Sequence, residues 1–390
     1  MAVSAPHEPP FRADHVGSLL RPAWLLQLRQ QHAAGRVSAD ELREGEDAAI
    51  RRAVCQQENV GLESITDGEL RRADYCVDFF VRGMGGVEVR QESGLGSLID
   101  TEGRRIPAPF THVVSHLRWR KPVYADQFRY LRSLTRRTAK ITIPSPMILH
   151  FMCGEAAIRK AGYPELDLFW TEITDAYQKE MLSLYEAGCR YLQIDDPPLA
   201  TYCDDKFISM MAARGDNPHR ALHELYPEII NRAFANRPSS MHLAMHICRG
   251  NFRGGWWGQG GYEPVAEVVF NDMHVDSYFL EYDTERAGGF EPLRFVPKNK
   301  TIVLGLVSSK LPPLESKDML KRRIEEAARY IDFDQLALSP QCGFATGAEG
   351  NPLTEEEQFA KLRLVVEVAN EVWGHRSTHV ASRAEVSAAR

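Results

Sequence analysis

The sequence predicts an α/β fold, a single (β/α)8 TIM barrel, from three observations. Short β-rich runs alternate with amphipathic helical stretches along most of the chain. Polar, chemistry-bearing residues recur where those runs end, which is where barrels of this kind gather their reactive groups. The 390 residues, 44% of them hydrophobic, also suffice for one large core, and α/β barrels often use this much chain as one domain.

The expected strands lie at 13–18, 64–67, 140–145, 191–195, 242–248, 278–282, 302–307 and 336–339. The clearest helices fall between them at 39–58, 168–187, 264–273, 317–331 and 354–372. Thr354 with Glu357 has the spacing of a capping box, and Gly188 is a C-terminal stop for the helix before it. Residues 83–124 break the rhythm. They are glycine-rich and then irregular, with β-like pieces at 86–90 and 111–117, and read as an excursion between the second and third strands that serves as a lid or an oligomer contact. Residues 1–374 are thus expected to form one catalytic barrel, followed by a polar, frayed tail at 375–390.

Composition excludes several classes of function. A net charge of -6 with mixed signs does not make a nucleic-acid surface, and the basic runs at 118–121 and 132–140 are short and interrupted. The first ten residues lack a basic region leading into an apolar stretch, and no run of about eighteen apolar residues occurs anywhere, so the expectation is a cytoplasmic protein without a membrane span. Seven cysteines at irregular spacing form no disulfide framework and read as reduced thiols.

Two of those cysteines stand out. His246-x-Cys248 places both side chains on one face of an expected strand. Glu281 closes the next strand and Cys342 follows the last. Two thiolates, an imidazole and a carboxylate are a ligand set for tetrahedral zinc. Their scatter over about a hundred residues fits a site assembled from strand ends rather than a zinc finger. Glu281 needs a partner if it is buried, and zinc, Arg286 or Arg249 would each provide one. Such a metal suits activation of a substrate thiol.

Other strand ends carry further candidates. Asp195 and Asp196 end the strongest strand and point to opposite sides, so one faces the substrate as an ammonium ligand or acid–base group while the other makes structural bonds. The Gly17-Ser18 and Gly68-Glu69 turns put glycine next to polar groups, where a carboxylate can approach the backbone. The segment 249–262, with two tryptophans among glycines, reads as a mobile lid with an aromatic platform or as a pinned loop.

Taken together, His246-x-Cys248, Glu281, Cys342 within Pro-Gln-Cys-Gly, the Gly17-Ser18 and Gly68-Glu69 turns and the Gln193-Ile194-Asp195-Asp196-Pro197 strand resemble the cobalamin-independent methionine synthase family, in order, from about residue 12 to 373. The resemblance implies the barrel, and a zinc-bound homocysteine thiolate that attacks a methyl group held by a folate. It implies that His246, Cys248, Glu281 and Cys342 hold the zinc, and that Ser18, Glu69 and Asp195 hold the amino-acid part of homocysteine. There are two departures. The chain resembles only the catalytic half of the two-barrel enzymes, which leaves methyl folate, a methylcorrinoid protein or a small sulfonium compound open as methyl donor. Lys310 also stands where the family has a histidine thought to assist proton transfer. The alternatives are zinc-dependent alkyl transfer to another thiol, such as coenzyme M with an epoxide, and a metal- or thiol-binding accessory protein without turnover.

Overall fold

The computed structural model describes residues 9–99 and 104–374. The 375–390 tail and the leader reading of residues 1–8 lie outside them. Ten strands occur among the described residues: β1 (Ser64–Ile65), β2 (Met84–Ile99), β3 (Arg105–Trp119), β4 (Thr138–Ala139), β5 (Ile141–Pro144), β6 (Tyr191–Asp195), β7 (His242–Ile247), β8 (Ser277–Glu281), β9 (Thr301–Val307) and β10 (Leu336–Pro340). The fold is α/β. Strands β5 to β10 form a six-stranded parallel sheet in sequence order, and β1 pairs in parallel with β4, one residue before β5. Parallel sheets of this kind are covered on both faces, and β5, β6, β8 and β10 are buried at every position.

Five of the connecting helices match the sequence reading to within a few residues: Ala39–Val60, Leu166–Glu186, Glu263–Asp272, Lys317–Ala327 and Glu355–Trp373. The last begins with the Thr354–Glu357 capping box, in which each side chain accepts the other residue's backbone N–H. Gly188, at φ +99°, receives the end of the helix before β6.

The 13–18 segment departs from expectation. Instead of a regular strand it makes a single parallel bridge, Ala13 to Leu338 of β10. On its other side the contacts run largely through side chains. Ser64 Oγ donates to Asp14 Oδ1 (2.7 Å), Thr66 Oγ1 donates to the Gly17 carbonyl (2.7 Å) and the His15 ring meets the Ser64 carbonyl (3.2 Å). These bonds take the place of a ladder, so the segment holds its position without strand geometry. A separate apolar cluster of Val16, Tyr191, Ala244, Phe279, Val303 and Ala337 takes one residue from this segment and one from each of β6 to β10. Beside it Lys140 and Asp14, both fully buried, pair at 3.2 Å.

Residues 83–124 are more regular than their sequence suggests. β2 and β3 form one long antiparallel hairpin whose register shifts between Gly85 and Val87 and between Glu92 and Ser97. Those irregularities break the period-2 pattern that would have revealed it.

Candidate metal centre and its cleft

The carboxyl ends of β6, β7, β8 and β10 bring the predicted residues together. The register sets Asp195 opposite His246, and His246 opposite Phe279. Cys248 lies one residue past β7, Glu281 ends β8, and Cys342 follows β10 by two residues. The ligand atoms of His246, Cys248, Glu281 and Cys342 all lie within 4.8 Å of one another, and all four residues are buried. His246 Nε2 is 3.3 Å from Cys342 Sγ, which is 3.5 Å from Cys248 Sγ. The edges of a tetrahedron of such ligands about zinc are roughly 3.3–3.8 Å.

The surroundings orient each donor. His246 Nδ1 is 3.2 Å from the Phe279 carbonyl, which accepts its proton and leaves Nε2 turned to the sulfurs. Glu281 Oε1 accepts the Arg249 backbone N–H at 2.7 Å, and the Tyr262 hydroxyl accepts the Glu281 N–H at 3.0 Å. Glu281 Oε2 has no hydrogen-bond partner although the residue is wholly buried. Arg286 stops 3.9 Å short of it, and the Arg249 guanidinium lies over the Tyr262 ring instead. A buried, half-satisfied carboxylate facing two sulfurs and an imidazole has the chemistry of a cation ligand, so the residues fit zinc.

Burial works against charge on His246, but the Cys342 sulfur, with Asp195 and Glu281, outweighs it and lifts the imidazole to about 9. Burial also opposes a Cys342 thiolate, yet the Cys248 S–H and the His246 charge carry its pKa well below the ordinary thiol value. Cys248, donating to Cys342 and buried, moves the other way.

The cluster opens into a cleft that reaches solvent. Ser18, Glu69 and Asp195 line it beside His246, Cys248 and Cys342, while Glu281 sits underneath. Asp195 takes the Gln193 amide at 2.7 Å; burial, opposed by His246 and reinforced by Glu69, raises its carboxyl to about 7. Asp196 turns away and caps the helix Pro197–Thr201 through the Leu199 N–H (2.9 Å), so the adjacent aspartates divide as strand alternation requires. Glu69 is held in the left-handed region at φ +57°. Its Oε1 accepts the Thr142 hydroxyl (2.6 Å) near Arg72 (3.5 Å), and Oε2 has no partner. Ser18 packs against Gly343 so closely that a Cβ there would meet its Oγ, which explains the glycine after Cys342.

Lys310 does not face this cleft. Its ammonium donates to the Gly250 carbonyl (3.1 Å), Asn251 Oδ1 (2.9 Å) and the Gly255 carbonyl (3.1 Å). It clamps the 249–262 loop, which is pinned further by Gly254 N–H to Asn351 Oδ1 (2.9 Å) and Trp257 N–H to the Arg249 carbonyl (2.7 Å). Trp257 lines the cleft, while Trp256 lies under Arg286 at 4.9 Å. Lys310→Met should therefore act on the fold. Three acceptors lose their donor, and unfolding free energy, measured in urea, is expected to fall by about 2–4 kcal/mol. Unchanged stability would contradict the clamp. Tyr75, Phe252 and Met152 also line the cleft and had no sequence signal beyond Tyr75's nearness to Glu69, since no period or motif marks them.

Comparison with known proteins shows the family. The family model of the cobalamin-independent synthase catalytic domain matches residues 12–371. The chain belongs to that family. Within it, a Bacillus subtilis protein, YxjG, itself uncharacterised, is 44% identical over 94% of this chain and 96% of its own. A methionine synthase of Saccharolobus solfataricus is 26% identical over 84% of this chain and 86% of its own, so family members of nearly this length exist. A Listeria monocytogenes crystal structure, named as a candidate vitamin-B12-independent methionine synthase, superposes with a TM-score of 0.73 at 35% identity, covering 94% of this chain and 99% of that one. A B12-independent methionine synthase from Shewanella, solved with selenomethionine, shares the fold at a TM-score of 0.69 and 19% identity, covering 92% of this chain and 96% of that one. Among the described residues no helix is long and apolar enough to cross a membrane.

Proposed function

We propose that the protein is a zinc-dependent methyltransferase that moves a methyl group to the sulfur of homocysteine, giving methionine. The observation that carries this reading is the meeting, in one cleft, of a four-donor cluster with the carboxylates of Glu69 and Asp195. His246, Cys248, Glu281 and Cys342 would hold the zinc. Zinc bound there lowers the pKa of a ligated thiol, so that the substrate sulfur is a thiolate at neutral pH.

The chain's own residues do the rest. Glu69 and Asp195 are two buried carboxylates with acceptor capacity toward the cleft, and the substrate ammonium is the cation that relieves their repulsion. The Ser18 hydroxyl, whose oxygen accepts the Ala345 N–H at 3.4 Å, keeps its proton for the substrate carboxylate. Held by its ammonium and carboxylate at the α-carbon, homocysteine directs its sulfur at the cluster, and this positioning is the larger part of the catalysis. The same carboxylates disfavour coenzyme M, whose sulfonate is an anion.

The bonds of the 13–18 segment to β10 on one side and to residues 64–66 on the other, with the apolar cluster that includes Val16 and Phe279, support a closed eight-stranded barrel with 83–124 inserted. The function is tested by supplying zinc-loaded protein with homocysteine and methyl donors and following methionine by mass spectrometry. Turnover excludes an accessory role. Absence of turnover with every donor, together with failure of homocysteine to bind, would overturn the reading.

A further inference from the structure

The lining that the homocysteine reading leaves unassigned differs in character from Ser18, Glu69 and Asp195. Its wall is Tyr75, Phe252, Trp257 and Met152, with Asp74 next to Tyr75. Among the described lining residues none is lysine or arginine. The nearby Arg253 is exposed, pairs with Glu349 at 3.3 Å and lies 5.2 Å from the Phe252 ring without lining the cleft.

This wall is built rather than incidental. The Asp74 carboxylate accepts the Cys76 and Val77 N–H groups (2.9 and 3.0 Å), and the Tyr75 N–H donates to the Thr346 carbonyl at 3.1 Å, which fixes this side of the mouth. On the other side Gly250, at φ +85°, lets the Trp257 backbone approach so closely that a Cβ would lie 2.8 Å from its nitrogen. Lys310 locks the same loop from below. A donor with an anionic tail would meet carboxylates here and no fixed cation. A methyl group on a positive centre meets aromatic rings beside a carboxylate, the composition that attracts onium cations.

An independent observation concerns the leaving group. A donor whose methyl leaves a basic nitrogen needs an acid nearby. Lys310 is the lysine whose charge reaches Cys248, Glu281 and Cys342, and its ammonium is engaged with three acceptors beneath the loop. The imidazole of the lining, His246, belongs to the donor cluster, and the Asp195 carboxyl is taken by the substrate ammonium in the proposed reading. A sulfonium needs no acid, because it departs as a neutral thioether.

From the wall and the engaged lysine together, we propose that the methyl donor is a small methylsulfonium compound seated against Trp257, Phe252 and Tyr75. The inference rests on the thiol methyltransferase reading and specifies its second substrate. In the transfer, a lone pair of the homocysteine sulfur forms the new S–CH3 bond. The old C–S bond of the sulfonium breaks with its electron pair going to the departing sulfur. The thiol proton, lost when the thiolate forms, goes to solvent, so that thiol and sulfonium become two thioethers and one proton.

The test gives zinc-loaded protein and backbone-labelled homocysteine either S-methylmethionine or 5-methyltetrahydrofolate as mono- and triglutamate, so that methionine made from the acceptor is distinguished from methionine released by the donor. The expected result is labelled methionine from the sulfonium, with kcat/KM at least about 100-fold above either folate. Methionine from a folate and none from the sulfonium would overturn the inference while leaving the transferase intact; methionine from neither, with homocysteine unbound, would overturn both. A binding readout stands apart from turnover. Tetramethylammonium is expected to quench tryptophan fluorescence with an affinity about tenfold above that of tert-butanol, its neutral near-isostere, and equal affinities would contradict the aromatic site. Trp257→Leu should lower sulfonium kcat/KM by about tenfold, with Trp257→Phe recovering part of it. If Trp257→Leu does not fold, Phe252→Leu serves the same purpose. Full sulfonium turnover in a folded variant lacking either ring would remove that ring from the site.

Discussion

Cys248→Ser and Cys342→Ser are each expected to lose zinc and methyl transfer together. A zinc site bound by about 10–16 kcal/mol and shared among four ligands gives up roughly 3 kcal/mol per ligand, or about 100-fold in Kd. The loss at Cys342 should be the greater. Its sulfur lies within hydrogen-bonding distance of both His246 and Cys248 and carries the lowered pKa, so serine there removes the thiolate on which the other two donors converge. Both sulfurs are buried, and serine is close in volume, so the fold should persist. Metal analysis after dialysis and steady-state turnover check the prediction. Zinc retained at full occupancy would contradict the assignment.

Asp195→Asn should separate binding from metal. The amide keeps the shape and can still meet Gln193, but it removes the buried charge proposed to meet the substrate ammonium. Truncating one partner of a buried charged pair costs about 2–4 kcal/mol, so the KM for homocysteine is expected to rise between about 30- and 1000-fold with zinc content unchanged. An unchanged KM would take Asp195 out of the site.

The donor cluster was legible because strand ends and period-2 alternation are properties of sequence. His246 and Cys248 share a face, Asp195 and Asp196 do not, and the structure places them accordingly. What was not legible depends on contacts between distant segments. The 13–18 segment is extended but pairs mainly through Asp14, Ser64 and Thr66 side chains, which no hydrophobic pattern can reveal. Lys310 stands at the position of the family's histidine, yet the carbonyls it meets come from residues 250–255, some 60 positions earlier, which its place in the chain does not reveal. Tyr75 reaches the cleft because its backbone is tied to Thr346, a contact between loops that is fixed only once the sheet has formed. The tryptophan pair illustrates both cases. Its closeness to Cys248 was readable, but the division into Trp257 on the cleft and Trp256 against Arg286 was not.

The most direct test of the central claim is zinc-edge X-ray absorption of the loaded protein with and without homocysteine. The account predicts two sulfur neighbours in the free protein, from Cys248 and Cys342, and three when homocysteine is added. An unchanged sulfur count at saturating homocysteine, or a protein that takes up no zinc at all, would contradict it.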